Sequence, residues 1–272
     1  MITFFFITND PRIAVIAENS GVDRIFIDLE QLGKQERQGG MNTVQSKHTL
    51  NDVKNIRKLV NKAQVLVRSN PVYSKSQEEI DNIIANGADI IMLPYFKTVN
   101  EVQYFLSRVK NKAKTCLLFE TAESVSLVDE ILDLEGIDEA YIGLNDLHLS
   151  YNMKFMFELL ADGTVDYLCE KFKKKNLPFG FGGIARLSQG LLPAEKIIIE
   201  HYRLASTRAI LSRSFCDTSK IEDMQKIESI FKSGIEDIRR FERSIEEKSG
   251  NPDFFKKNRE ELIQLVKTIA NA

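Results

Sequence analysis

The amino-acid sequence predicts an α/β fold, a (β/α)8 TIM barrel with extra C-terminal helices. Eight short apolar runs recur along the 272 residues, and most are apolar at successive positions, as strands buried on both faces are. Amphipathic stretches separate the runs, which indicates βαβ units and a parallel sheet. Eight units favour a closed barrel. Asn9-Asp10-Pro11 follows the first run, where a doubly wound nucleotide-binding sheet would carry a glycine-rich fingerprint.

The predicted strands are short and rich in β-branched and aromatic residues. In chain order they are 3–7, 24–29, 64–68, 89–93, 115–120, 140–143, 178–182 and 209–215. The stretches between them place their apolar residues on one helical face, over 50–60, 77–85, 99–109, 122–132, 157–173 and 194–202. A doubly wound sheet of about six or seven strands is the structural alternative.

The barrel is predicted to span residues 1–216, and residues 217–272 form a helical extension. Apolar residues recur at helical spacing on both sides of the Ser249-Gly250-Asn251-Pro252 turn, which predicts two helices. Their apolar stripes require a partner surface. The sequence leaves two partners open, the barrel of the same chain and a neighbouring subunit.

Composition and charge argue against two classes of partner. The formal net charge is −2, so neither a basic nucleic-acid footprint nor a polybasic membrane surface is expected. No apolar run approaches the roughly 20 residues that span a bilayer, and the apolar start lacks the positive segment of a signal peptide. The cysteines, Cys116, Cys169 and Cys216, are odd in number and widely spaced, which predicts free thiols and a cytoplasmic protein.

One predicted connection, 31–47, is unusually long for a loop between a strand and a helix. Loops at the C-terminal face of a barrel carry function, so its length predicts a substrate lid. A merely solvated insertion is the alternative.

Two carboxylates, Glu120 and Asp146, follow adjacent predicted strands, five and six. Strand ends of a barrel open onto one shared mouth, where catalytic residues lie. Two neighbouring carboxylates repel each other unless a positive charge lies between them. Mg²⁺ or Mn²⁺, which prefer oxygen ligands, meet that need, whereas no His-rich or Cys-rich cluster predicts zinc. The alternative for each acid alone is a helix N-cap or a charge in the first turn of a helix.

Arg68 ends the third strand and precedes Ser69-Asn70-Pro71. A guanidinium at the mouth suits a carboxylate or a developing oxyanion. It also suits an ion pair with Asp28 or Glu30, and both roles are compatible. The segment Gly143-Leu144-Asn145-Asp146 offers backbone N–H groups to a substrate carboxylate. Gly182-Gly183 and Ser212-Arg213-Ser214 lie where barrels often bind phosphate, although glycines there also serve close packing.

Taken in order, the strand ends resemble the HpcH/HpaI aldolase/citrate lyase family over about 24–215. The resemblance implies a (β/α)8 barrel, Mg²⁺ or Mn²⁺ held by Glu120 and Asp146, Arg68 on a 2-oxo acid, and amides around Asn145 on its carboxylate. It also implies an oligomer in which the extra helices pack on a neighbouring subunit. The matching segments are Phe26-Ile27-Asp28-Leu29-Glu30, Val67-Arg68-Ser69-Asn70-Pro71, Gly87-Ala88-Asp89-Ile90-Ile91-Met92-Leu93-Pro94, Phe119-Glu120-Thr121-Ala122 and Ile142-Gly143-Leu144-Asn145-Asp146-Leu147.

Gln31 departs from the family pattern. Where this sequence has Gln31, the pyruvate aldolases of the family usually carry histidine and the citrate lyase branch aspartate, and an amide cannot act as acid or base. His48, which follows the long loop, could move the proton instead, as could His148 or a water on the metal. Capping or ordinary surface roles are the alternatives for both histidines.

These observations predict a metal-dependent carbon–carbon lyase of the class II aldolase type. It would act on a small 2-oxo acid, with an aldehyde as the second substrate, through a metal-stabilised pyruvate-like enolate. None of the predicted strand ends carries a Schiff-base lysine. A citryl- or malyl-CoA-type lyase is one alternative, for which the long loop offers Lys34, Arg37 and Lys47 but also Glu36. The others are a catalytically altered barrel that binds metal and a carboxylate ligand, and a sugar-phosphate isomerase.

Overall fold

The computed structural model describes residues 1–33 and 47–272, and most of the predicted long loop lies outside these ranges. Eight parallel strands form a closed barrel in which each strand pairs with its neighbours in sequence and β8 pairs with β1. The predicted barrel is therefore confirmed. The strands are β1 (Thr3–Ile7), β2 (Arg24–Asp28), β3 (Gln64–Arg68), β4 (Ile90–Leu93), β5 (Lys114–Phe119), β6 (Glu139–Ile142), β7 (Phe179–Ile184) and β8 (Arg208–Leu211).

Helices connect the strands and cover the outside of the barrel. In the described ranges they are α1 (Pro11–Asn19), α2 (Leu50–Leu59), α3 (Ser76–Ala85), α4 (Val99–Val109), α5 (Ala122–Ser126), α6 (Val128–Leu132), α7 (Leu144–Ser150), α8 (Glu158–Ala161), α9 (Thr164–Lys174), α10 (Ala194–Leu204), α11 (Met224–Lys248) and α12 (Pro252–Ala270). Three of the starts carry a capping box, in which Thr49, Thr98 or Thr121 exchanges hydrogen bonds with the residue three positions later.

Three predicted elements differ from the structure. The helix predicted over 157–173 is divided, because Gly163 adopts a left-handed backbone (φ +94°) between α8 and α9. The helix predicted over 122–132 is likewise divided into α5 and α6 at Leu127. The last strand ends at Leu211 rather than 215, since the chain turns there and the Phe215 N–H donates to the Ser212 carbonyl.

Apolar side chains pack on both faces of the barrel strands. Inside the barrel, Phe5, Phe26, Met92, Leu118 and Tyr141 belong to one buried cluster. A larger cluster lies between the strands and the surrounding helices. Packing on both faces explains why the strands are apolar at successive positions, and it makes the strand framework a rigid support for the residues at its ends.

A buried ion network closes the N-terminal end of the barrel. Glu139 accepts two hydrogen bonds from Arg24, at 2.6 and 2.7 Å, and two from Arg208, at 2.9 and 3.2 Å. Burial raises the pKa of Glu139, but the two guanidinium groups outweigh burial and hold that pKa below its usual value. This end of the barrel is therefore fixed by charge pairs, and the opposite end is open for function.

The C-terminal extension forms two helices, as predicted, and both pack on the barrel of their own chain. The long helix α11 packs against α1 and buries Phe231 and Ile238, while α12 packs against α8 and α10 and buries Leu262 and Val266. Buried Glu242 of α11 also accepts a hydrogen bond from the Ile2 N–H at 2.6 Å. The apolar stripes are thus covered within one chain. Packing on a neighbouring subunit, and the predicted homo-oligomer, stay predictions.

Two further observations concern the described residues as a whole. None of their helices is both long enough and apolar enough to cross a bilayer. All three cysteines are buried and free of disulfides, as the sequence predicted.

Candidate active site

The C-terminal ends of the strands surround a cavity of about 390 Å³. Its floor is apolar and includes Phe26, Met92 and Leu118, which belong to the cluster inside the barrel. Its rim is polar and brings together most of the residues predicted from the strand ends, namely Arg68, Glu120, Gly143, Leu144, Asn145 and Asp146, with Asp28 beside them.

Glu120 and Asp146 line this cavity from adjacent elements. Glu120 directly follows β5, and Asp146 lies in the first turn of α7, which follows β6. Both side chains are buried, with residue exposures of 2% and 7%. One oxygen of Glu120, Oε1, accepts a hydrogen bond from the Tyr95 N–H at 3.0 Å. The structure therefore brings the predicted carboxylate pair to one cavity wall.

The donor set fits a hard divalent cation. Two carboxylates on a cavity that has room for water and a substrate are typical of Mg²⁺, which is commonly held by one or two protein carboxylates. Residues 1–33 and 47–272 contain no group of three or more His, Cys, Asp or Glu side chains placed to hold a metal ion. A protein-only site of the zinc type is thus absent from these ranges, and any ion would complete its coordination with water or substrate.

Arg68 is held by two carboxylates at the C-terminal end of β2, Asp28 and Glu30. Its Nε and Nη2 each donate to Asp28, both at 2.9 Å, and its Nη1 lies 3.3 Å from Oε2 of Glu30. Burial alone lowers the pKa of Arg68, but Asp28 and Glu30 outweigh it and raise that pKa well above the usual value. The guanidinium is therefore charged and fixed in orientation. The ion pair considered from the sequence is present, and the group still lines the cavity.

The start of α7 also faces the cavity. No side chain caps this helix at Gly143, within the part of the chain that the structure describes. The Gly143 N–H donates to the Phe119 carbonyl at 3.0 Å, so this amide continues the sheet and is not offered to a ligand. The first amides of a helix have no acceptor within it, and Leu144 and Asn145, the first two residues of α7, line the cavity.

Strands β7 and β8 complete the wall. Gly182 and Gly183 line the cavity together with Ser212 and Arg213, as their positions at strand ends predicted. β7 is irregular between Gly180 and Gly183, and Gly182 has a left-handed backbone (φ +55°). The Tyr141 hydroxyl donates to the Gly182 carbonyl at 2.5 Å, which ties this bend to β6.

Comparisons with known proteins agree with this geometry. The sequence profile of the HpcH/HpaI aldolase/citrate lyase family matches residues 1–156, which is more than half of the chain. The chain belongs to the HpcH/HpaI aldolase/citrate lyase family. The matched region contains the predicted metal-binding pair, Arg68 and the segment 143–146, and the family is one of lyases.

Solved structures show the same fold. An HpcH/HpaI aldolase from Desulfitobacterium hafniense is similar with a TM-score of 0.58 and 13% identity, over 88% of this chain and 93% of that one. A family protein from Burkholderia cenocepacia gives a TM-score of 0.60 and 12% identity, over 83% and 94%. The citrate synthase SbnG gives 0.58 and 17%, over 88% and 94%. Curated protein sequences give no match.

Gln31, which stands at the family's proton-transfer position, and His48, which was predicted as a possible substitute, both lie outside the cavity lining. Gln31 is exposed, and its backbone N–H donates to Asn70 Oδ1 at 2.8 Å. His48 is buried, and its Nδ1 accepts a hydrogen bond from the Asp28 N–H at 3.0 Å. The other candidate, His148, is buried in α7 with Nδ1 3.2 Å from the Leu144 carbonyl. Lys34, Glu36 and Arg37 of the long loop lie outside the described residues.

One residue of the site was missed from the sequence. Tyr95 follows Pro94 at the end of β4 and contributes its backbone N–H, rather than its ring, to Glu120. Its backbone is left-handed (φ +49°), which is uncommon for a residue other than glycine. A left-handed tyrosine has no sequence signal comparable to glycine or asparagine at such a position, so sequence reasoning had no means of finding it.

Proposed function

We propose that this family member is a metal-dependent carbon–carbon lyase that acts on a small 2-oxo acid. The observation that carries the proposal is the pair of buried carboxylates, Glu120 and Asp146, on the wall of a cavity that Arg68 also lines. Membership of a family of aldolases and citrate lyases supports the same chemistry. Mg²⁺ or Mn²⁺ is the proposed cofactor, and an aldehyde is the proposed second substrate.

The proposal gives each residue a defined role. Glu120 and Asp146 would hold the ion, which acts as a Lewis acid next to the oxygen that becomes negative when the carbon–carbon bond breaks. Arg68, kept charged by Asp28 and Glu30, would place a second positive group at that oxygen. The amides of Leu144 and Asn145 would bind the carboxylate of the 2-oxo acid.

His48 is the proposed carrier of the proton, because Gln31 cannot act as an acid or base. Nδ1 of His48 accepts the Asp28 N–H, which assigns the ring proton of neutral His48 to Nε2. The same hydrogen bond fixes His48 to the strand end that holds Arg68. If His48 carries the proton, His48→Gln is expected to slow proton exchange without weakening metal binding.

Exchange of the pyruvate methyl protons in heavy water tests the proposal, because it reports carbanion formation without requiring the second substrate. We expect exchange that needs Mg²⁺ or Mn²⁺ and that falls at least about 100-fold in Glu120→Gln and Asp146→Asn. Glu123→Gln is the matched control, because Glu123 also comes shortly after β5 but does not line the cavity. Its Oε1 is instead paired with Lys97 Nζ at a distance of 3.0 Å. Metal and 2-oxo acid binding without any exchange would contradict the lyase and favour a barrel that only binds these ligands.

A further inference from the structure

The carboxylate of Glu120 is held by a backbone turn under conformational strain. The Tyr95 N–H donates to Glu120 Oε1 at 3.0 Å, and Tyr95 itself has a φ of +49°. Non-glycine residues persist in this region only when their surroundings impose it. The next residue, Phe96, is buried edge-on against Phe119, and its carbonyl accepts the Thr121 hydroxyl at 2.9 Å. These contacts fix the turn to Phe119 and Thr121, the residues on either side of Glu120.

The side chain of Glu120 also occupies the space next to Gly143. A Cβ atom added to Gly143 would lie 2.7 Å from Oε2 and 2.8 Å from Cβ of Glu120, both shorter than real contacts. The backbone of Gly143 is ordinary, with a φ of −84°, so no conformational requirement for glycine exists here. Glycine is needed for space alone, and that space is occupied by Glu120.

We propose that the Tyr95 amide and the space at Gly143 together orient the Glu120 carboxylate for a bound divalent ion. We call this arrangement the Glu120 seat. Tyr95 and Gly143 are positioning residues in it, because they act through Glu120. The inference rests on the proposed function for the identity of Glu120 as a metal ligand. Groups that orient metal ligands typically contribute about 10–100-fold to metal affinity.

Two substitutions at Tyr95 separate its backbone from its ring. Both Tyr95→Asn and Tyr95→Val remove the ring, but asparagine tolerates a left-handed backbone and β-branched valine does not. We therefore expect Tyr95→Asn to retain its Mn²⁺ affinity within about twofold, and Tyr95→Val to lose about 10-fold or more. The affinity is measured on the full chain by electron paramagnetic resonance of free Mn²⁺, with circular dichroism to confirm folding.

Gly143→Ala tests the other side of the seat. Its added methyl group must displace Glu120, so Mn²⁺ affinity is expected to fall about 10–100-fold. The control is Gly250→Ala, which adds the same methyl group outside the cavity lining, with no atom within 4 Å of it. We expect this control to bind Mn²⁺ as the unsubstituted protein does.

Glu120→Gln distinguishes a failure of the seat from a failure of the proposed function. Unchanged Mn²⁺ affinity in Glu120→Gln would refute Glu120 as a ligand, and the seat with it. If Glu120→Gln loses Mn²⁺ while folded Gly143→Ala and Tyr95→Val keep it, the seat alone is refuted. Equal losses in Tyr95→Asn and Tyr95→Val would also overturn the backbone role of Tyr95. If Gly143→Ala does not fold, the Tyr95 pair decides the question.

Discussion

Arg68 combines a structural and a chemical role in one side chain. It is fixed by Asp28 and Glu30, whose side chains are only 2% and 1% exposed, and it still lines the cavity. A flexible cation would have to be ordered when the substrate binds, at a cost in entropy. The carboxylates at the C-terminal end of β2 remove that cost, because they hold the guanidinium in place before a ligand arrives.

We expect Arg68→Met to lower the free energy of unfolding by about 3–5 kcal/mol, because it removes the cation bonded to two buried carboxylates. Arg68→Lys keeps the charge but not the forked geometry, so its loss is expected to be clearly smaller. Urea unfolding of both variants measures the difference. Equal losses would mean that charge at this position contributes little to stability.

His201 makes stability depend on pH. It is buried in α10, stacked on Phe181 with ring centroids 3.8 Å apart, and burial lowers its pKa from 6.5 to about 3. The unfolded chain therefore binds one proton more than the folded chain between these pH values, so stability falls as the pH falls below 6.5. At pH 5 the expected loss is about 2 kcal/mol relative to pH 7.

His201→Gln removes this contribution, since glutamine does not titrate. Its free energy of unfolding is expected to be lower at pH 7 but to change less between pH 7 and pH 5 than that of the unsubstituted protein. Urea unfolding at both pH values measures the two slopes, and the contributions of all other groups cancel in the comparison. Identical slopes would show that His201 has the same pKa in the folded and unfolded chains, which would contradict the lowered pKa.

The residues at the strand ends were predictable, but their local contacts were not. Glu120, Asp146 and Arg68 lie at or shortly after the ends of apolar runs, and parallel strands bring such positions to one mouth. Gly143 was predicted as an amide donor, whereas its N–H is bonded to Phe119 and the missing Cβ is what matters. Such a role depends on the distance between two loops, and no periodicity in the sequence encodes that distance.

At the scale of elements, the C-terminal helix α12 offers two leucines in different environments. Leu262 is fully buried against the barrel, while Leu265, three residues later, is 37% exposed. We expect Leu262→Ala to cost about 2–5 kcal/mol of stability and Leu265→Ala less than about 0.5 kcal/mol. Thermal unfolding at several protein concentrations measures both.

Measurements at several protein concentrations test whether α12 packs on its own chain or on a neighbouring subunit. Because the structure places Leu262 against its own barrel, the loss in Leu262→Ala is expected to be the same at every concentration. If α12 packed on a neighbouring subunit, the loss would include the cost of dissociation and would vary with concentration. That result would restore the arrangement that the family resemblance implied.

The sequence predicted the helices and strands better than the positions where two of the helices are divided and where the last strand ends. Burial on both faces makes each strand readable as a continuous apolar run. The breaks at Leu127 and Gly163 leave the apolar helical spacing on both sides intact, so periodicity alone joins α5 to α6 and α8 to α9. The turn after Leu211 was missed for a similar reason, because Phe215 is buried although it is no longer in the strand.

At the scale of the whole molecule, one end of the barrel serves stability and the other end serves function. Glu139 forms direct ion pairs with both Arg24 and Arg208 at the N-terminal end. At the C-terminal end, carboxylates and arginines surround a cavity instead. Closing one end with charge pairs and opening the other to ligands is the division expected of a (β/α)8 enzyme.

The central claim is that Glu120 and Asp146 hold a divalent ion for a 2-oxo acid. A crystal soaked with Mn²⁺ and oxalate, an analogue of the pyruvate enolate, tests it most directly through the anomalous signal of manganese. The account predicts one strong anomalous peak from a manganese ion that is coordinated by both carboxylates and by oxalate. It also predicts that Arg68 and the amides of Leu144 and Asn145 donate hydrogen bonds to the oxalate. A manganese peak elsewhere, or oxalate bound without manganese at these residues, would contradict it.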